Sequence, residues 1–286
     1  MNDLKNKNII VTGATGGIGN SIVKKLNDCE ANILASGTKS EKLDELKSQF
    51  KNIKILKFDI SQMDKIEEFI ENAVSHFDGN LDYSFNNIGR VWIDFGMSDD
   101  VAYTAKKTKQ GDIIIGGSSN SGATPKVAFA KIKSDGSLDT SFGDNGLKVW
   151  KFSPPGLVYD LDIIGDDVYA SGFIDNLETF NILVTKFDIS GKVDKNFGKN
   201  GTKIFSEFNS DSISTSINII NENQILLAGT IKNKKNEDAA LIMIDNTGNL
   251  DLSFGDQGVY KFDAGKNEIF TDIKLINDNL YVVGLH

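Results

Sequence analysis

Between residues 8 and 77, short β-rich apolar runs alternate with segments whose apolar residues recur every three or four positions; beyond about residue 90 the helical spacing disappears. The first pattern predicts strands at 8–12, 31–36 and 53–58 and helices at 17–28, 40–50 and 62–77. Ser40 before Glu41, and Ser61 three residues before Asp64, read as helix starts. Strand and helix units of this length, taken in turn, imply right-handed crossovers and a parallel sheet.

The second pattern is a period of about 56 residues. Phe85, Phe142, Phe197 and Phe254 recur at intervals of 57, 55 and 57, and Gly116, Gly172, Gly229 and Gly284 at 56, 57 and 55. Each period shows an alternating strand (101–107), a more continuous apolar one ending in glycine (113–117), a third (127–133), an Asp-Gly turn and a fourth (147–152). Four short strands per repeat predict propeller-like sheets. About three and a half repeats fit between residues 91 and 286, an open arc whose uncovered faces and strand edges invite self-association. Trp92 and Trp150, at comparable positions of the repeat, read as core.

Composition narrows the chemistry. The chain has 286 residues, one cysteine (Cys29) and two histidines (His76, His286), which argues against disulfides, zinc and Cys/His catalysis. Its formal charge is −9, and residues 1–77 are balanced, so the acidic excess lies in the repeats and nucleic acid is not an expected partner. No apolar run approaches the roughly 20 residues of a spanning helix, and residues 1–11 lack the apolar centre of a secretory signal. No membrane partner is expected, and the first module is expected in the cytoplasm.

The chemistry-bearing motif is TGATGGIG, residues 12–19, between the first strand and the first helix. Gly13 suits a tight turn, Gly17 a close approach of backbone to a pyrophosphate, and Gly19 close packing of the helix, whose N-terminus offers N–H donors to an anion. With this turn, the segment after the second strand and the Asp59-Ile60 pair after the third, residues 4–89 resemble the N-terminal half of a short-chain dehydrogenase/reductase, nearest to bacterial 3-oxoacyl-acyl-carrier-protein reductases. The resemblance implies a Rossmann-type partial parallel sheet and a cofactor held by Gly13, Thr15, Gly16, Gly17, Ile18, Gly19, Thr38, Asp59, Ile60 and Asn86. Thr38 and Lys39 would suit a 2′-phosphate, so NADP(H) is favoured, with NAD(H) as the alternative.

Residues 81–89, LDYSFNNIG, serve both patterns: they stand for the family's fourth strand and also open the repeat array. The LDxSFGxxG loops around Phe142 and Phe254 resemble the delta-60 repeat, a β-propeller-like family typical of extracellular bacterial proteins, over residues 78–286. The expected fold is therefore two-domain: an α/β Rossmann-type fragment (1–84) followed by all-β propeller-like repeats (85–286).

The reductase resemblance requires a serine and a Tyr-x-x-x-Lys pair in its second half. Tyr103 and Lys107 have that spacing, yet Val101, Tyr103 and Ala105 alternate as in a strand. Residues four apart on a strand are separated by roughly 13 Å, against about 6 Å on a helix, and would not couple. No catalytic residue is assigned. Asp245, Thr247, Asn249 and Asp251 alternate like calcium ligands but lack the closing glutamate, so a turn is expected and no metal site. The function that follows is an NADP(H)-binding reductase fragment fused to repeats, without complete catalysis. Two readings stay open beside it: a binding or structural repeat protein carrying a passenger module, and a chimera of two genes.

Overall fold

The computed structural model describes residues 4–50, 53–77, 91–96, 99–120, 124–150, 154–277 and 279–286. The chain separates into two compact units, Met1–Tyr83 and Ser84–His286.

In the first unit β1 (Asn8–Val11), β2 (Asn32–Gly37) and β3 (Ile53–Lys57) form a parallel sheet with β2 in the middle. The helices α1 (Gly17–Asp28), α2 (Ser40–Gln49) and α3 (Ile66–Ser75) follow the three strands in turn. Val11, Val23, Ile33, Ala35, Leu43 and Leu46 make the core, so β2 is buried on both faces, as the centre of a parallel sheet must be. α1 stops where Glu30 takes a left-handed backbone (φ 55°) and the Ala31 N–H donates to the Leu26 carbonyl. Ser40 is the first helical residue of α2 rather than its cap, and Ser61 bonds Asp59 instead of opening α3, which is preceded by a short 3₁₀ turn at Met63–Lys65. The segment 81–89, with Asn86, lies outside the described residues.

The strands of the second unit pair antiparallel. Three four-stranded sheets follow one another: β4 (Asp100–Lys107), β5 (Ile113–Asn120), β6 (Pro125–Ile132) and β7 (Leu147–Val149); β8 (Gly156–Ile164), β9 (Asp167–Asp175), β10 (Phe180–Asp188) and β11 (Thr202–Ile204); β12 (Ser212–Asn221), β13 (Gln224–Lys232), β14 (Glu237–Ile244) and β15 (Val259–Phe262). A two-stranded sheet, β16 (Ile269–Ile276) and β17 (Asn279–Leu285), comes last. Each sheet buries its face against the next. Ile114 and Phe129 pack with Leu161 and Phe187, Tyr169 and Val184 with Ile217 and Leu227, and Leu226 and Met243 with Ile273.

The first strand of every sheet carries a bulge, at Tyr103, Tyr159, Thr215 and Thr271. Opposite stands a glycine, and the four in register are Gly117, Gly172, Gly229 and Gly284, so Gly117 and not Gly116 holds the repeat position. A Cβ there would lie 1.9 Å from the Val101 carbonyl oxygen at Gly117 and 2.1 Å from that of Leu157 at Gly172. The residues after the bulges, Thr104, Asp160, Ser216 and Asp272, form a polar line across all four sheets. Thr104 Oγ1 donates to Asp160 Oδ1 (3.0 Å), and Ser216 Oγ lies 3.0 Å from Asp160 Oδ2 and 3.1 Å from Asp272 Oδ1.

The SFG loops staple neighbouring repeats. Phe142 and Phe197 are fully buried, and the glycines after them (φ 56° and 51°) donate N–H bonds to Ser190 and Thr247, in the Asp-Gly-type turns of the following repeats. Trp150 is core, its indole N–H donating to Thr202 Oγ1, whereas Trp92 is 78% exposed, against the repeat-phase reading. Asp245 accepts the Thr247 and Asn249 N–H groups, the local turn expected from its residue types.

An ion triad recurs with one informative substitution. Lys131 sits 3.1 Å from Asp112 and 2.9 Å from Asp139; Lys186 sits 2.9 Å from both Asp167 and Asp194. In the third sheet Met243 takes the lysine place and Gln224 that of the first aspartate, with Gln224 Nε2 donating to Asp251 Oδ2 (3.3 Å). Losing the cation is thus matched by losing one carboxylate. Lys186→Met is expected to cost about 2 kcal/mol, and adding Asp167→Gln to recover at least half, read from urea unfolding. The Ser141 hydroxyl, and after it Lys131, hold the Asp139 carboxyl at about 2, against an ordinary 3.8. This carboxyl is depressed, so its stabilisation is complete above about pH 4 and is lost as pH falls towards about 2. Asp139→Asn is expected to flatten acid unfolding in that window.

Candidate functional site

The carboxyl ends of β1, β2 and β3 gather most of the sequence-predicted residues. The Ala14 N–H donates to the Ser36 carbonyl (2.9 Å) and that of Phe58 to the Gly37 carbonyl (3.1 Å), which ties the three strand ends together. Such ends are where open parallel sheets bind ligands.

The glycines divide by task. Gly13 is left-handed (φ 66°) and makes the turn, closed by the Gly16 N–H on its carbonyl (3.0 Å). Gly19 is buried, and a Cβ there would stand 2.2 Å from the Gly13 carbonyl oxygen, so it lets the helix begin close against the turn. A Cβ on Gly17 would meet nothing within 4 Å. Gly17 is exposed at the first position of α1, which has no side-chain cap and no acidic residue in its first turn. The first N–H groups of a helix have no intrahelical acceptor, so Gly17, Ile18 and Gly19 present donors and a partial positive charge suited to a pyrophosphate. Thr15 is placed by contact with Gly37, where a Cβ would come 2.7 Å from Thr15 Oγ1.

A cavity of about 350 Å³ beside the turn is lined by Thr15, Gly16, Gly17, Asn20 and Lys42 among others. A second, of about 420 Å³, brings Thr38 together with Asp59, Phe58, Phe69, Lys57 and Lys65. Phe58 and Phe69 stack at 4.2 Å and 15°, a flat apolar wall. Ile60 is 59% exposed beside Asp59. The Ser61 hydroxyl (2.7 Å) and N–H (3.0 Å) both donate to Asp59 Oδ1 and lower its carboxyl from the ordinary range, so Asp59 stays ionised with Oδ2 engaged in neither bond. Lys42, Lys57, Lys65 and the Phe58–Phe69 stack were not singled out by sequence, because nothing in spacing separates a site lysine from a solvated one.

Tyr103 and Lys107 belong to the second unit. Tyr103 is the bulge residue of β4, 44% exposed, its ring 5.2 Å from that of Tyr159. Lys107 ends the same strand, paired with Ile113.

Residues 7–110 match the family model described as short chain dehydrogenase, and residues 111–142 match a β-propeller domain of unknown function, DUF5122. The chain is thus similar to short-chain dehydrogenases over one stretch and to a β-propeller domain over the next. The first match runs on through β4, whose antiparallel pairing with β5 belongs to the second unit.

Among curated proteins, the chain is 32% identical over 91 residues to an uncharacterized oxidoreductase of Staphylococcus epidermidis, covering 32% of this chain and 39% of that protein. It is also 32% identical over 90 residues to 3beta-hydroxysteroid dehydrogenase 2 of Eggerthella lenta, covering 30% and 34%. The chain thus spans less than two fifths of the length of these relatives. A short chain dehydrogenase of Bacillus anthracis is similar at 26% identity and TM-score 0.24, covering 25% of this chain and 32% of that one.

The two glycines give opposite expectations. Gly17→Val should leave the melting temperature unchanged within about 1 °C while weakening NADPH binding at least about tenfold, because its side chain enters only the anion's space. Gly19→Ala should lower the melting temperature, its Cβ meeting backbone. Differential scanning fluorimetry with and without NADPH separates the two.

Proposed function

We propose that the chain binds a dinucleotide, NADP(H) in preference to NAD(H), at the carboxyl ends of β1, β2 and β3, and does not itself carry out hydride transfer. The observation that carries the reading is the open space over Gly17 at the uncapped start of α1, on the same edge of the sheet as Thr38 and Asp59. The pyrophosphate would lie on the α1 N–H groups, the adenine against Phe58, Phe69 and Ile60, and the ribose by Thr38. Lys57 and Lys65 in the cavity with Thr38 support a 2′-phosphate, since ammonium groups offset its charge. When bound, the cofactor would supply a transferable hydride.

The absence of turnover is supported by the placement of Tyr103. General acid catalysis by a tyrosine requires the reacting group within hydrogen-bond reach and a cation close enough to lower its pKa. Tyr103 and Lys107, four residues apart on a strand, are separated by roughly 13 Å. On this reading residues 1–84 form the dinucleotide-binding module and residues 85–286 propeller-like repeats that self-associate through exposed strand edges.

Titration by NADPH and NADH fluorescence tests the reading: NADPH should bind at least about tenfold more tightly, and Thr38→Asp should reverse the preference by placing a carboxylate where the phosphate would lie. An acetoacetyl thioester should give no NADPH oxidation. Turnover that disappears in Tyr103→Phe would contradict the non-catalytic part of the proposal.

A further inference from the structure

We propose a divalent-cation site of calcium class where the loop from β15 to β16 crosses the β13–β14 hairpin, held by Asp238, Asp263 and Glu268. One carboxylate oxygen from each lies within 4.8 Å of the others, and Asp238 and Glu268 are buried while Asp263 reaches solvent. Glu268 is 1% exposed, and its Oε2 has no hydrogen-bond partner among the described residues. Its other oxygen accepts the Lys266 N–H (2.9 Å). None of the three takes part in an ion pair among the described residues. Two buried carboxylates side by side lose hydration and repel each other, a cost that a bound cation offsets.

The repeat supplies an internal comparison. Strand register places Asn181 where Asp238 stands: Asn181 pairs with Ile174 as Asp238 pairs with Ile231. Counting from the pairs Leu183–Ile204 and Ala240–Lys261, Ser206 corresponds to Asp263. Counting back from Ser214, opposite Gly229, and Phe270, opposite Gly284, Ser212 corresponds to Glu268. At the preceding crossing all three positions are neutral, and two of the side chains are satisfied within the protein. Asn181 Oδ1 accepts from the Asn176 amide, and Ser212 Oγ accepts the Ile182 N–H (3.3 Å). Three neutral residues have thus become three carboxylates at one crossing, where the fold needs none.

The surroundings hold the ligands in place. The Gly265 N–H (2.7 Å) and the Asn236 amide (3.4 Å) donate to Asp263 Oδ1, and the Asn233 amide donates to Asp238 Oδ1. Thr230 Oγ1 bonds the backbone carbonyls of both Asp238 (3.1 Å) and Glu268 (3.2 Å). An all-oxygen, carboxylate-rich set with one ligand open to water suits calcium, which takes six to eight oxygens and completes its shell with solvent. Bound there, the ion would tie the β16–β17 hairpin to the third sheet.

Calorimetric titration of the full chain with CaCl2, with MgCl2 in parallel, and melting curves in calcium or EDTA test the proposal. Wild type should bind calcium more tightly than magnesium and gain about 2–6 °C in melting temperature. Glu268→Gln should weaken binding at least tenfold. The triple change Asp238→Asn, Asp263→Ser, Glu268→Ser restores the residues of the preceding crossing, so it should fold in EDTA and show no calcium-dependent shift. Wild type without a calcium-dependent shift, or a triple variant that keeps it, would overturn the proposal.

Discussion

Face-to-face burial between successive sheets is the constraint on which the repeat unit depends. A four-stranded sheet of short strands is apolar on both faces and cannot bury them alone; each face needs a neighbour. Phe129, Phe187, Trp150 and Phe142 meet in one cluster drawn from two sheets, with ring centroids 4.7 to 6.2 Å apart. The hydrogen-bonded features follow from keeping those faces in contact. The SFG loops reach across to the next repeat, and the polar line from Thr104 to Asp272 crosses the same boundaries on the first strands. Where the third sheet meets the last hairpin, three carboxylates stand where the preceding crossing has neutral residues, and a cation would balance them.

The α/β unit answers a different constraint. A parallel sheet needs cover on both faces, which β2 has and β1 has only in part: Val11 is buried, whereas Ile10 is 37% exposed. The ligand-facing end of that sheet is nevertheless well specified. Gly13 must be left-handed, Gly19 must lack a side chain because of the turn carbonyl, and Gly37 must lack one because of Thr15. Gly17 alone of these has neither a left-handed backbone nor a neighbour in the way of a side chain. Three glycines fixed by the fold and one fixed by nothing within it is the pattern expected where a ligand sets the remaining requirement.

Much of this was legible in the chain. Period-2 and period-3.6 patterning placed nearly every strand and helix, and alternation put Tyr103 on a strand despite its tempting spacing to Lys107. Phase alone misassigned two positions. Trp92 shares the repeat phase of Trp150 but is exposed, and Gly116 shares the phase of Gly172 although the bulge at Tyr103 makes Gly117 its structural equivalent. A bulge shifts register by one residue, which counting along the sequence does not detect. The site lysines and the Asp238, Asp263 and Glu268 trio were hidden for another reason. They lie on separate strands and loops, and only strand pairing brings them together.

A dinucleotide at the strand ends of the α/β unit would shield the backbone amides of the glycine turn and of the segments after β2 and β3. Hydrogen exchange of backbone amides, followed by mass spectrometry with and without saturating NADPH, tests it most directly. Exchange is expected to slow in peptides covering residues 13–20, 36–40 and 58–62. Unchanged exchange in all three would contradict dinucleotide binding there.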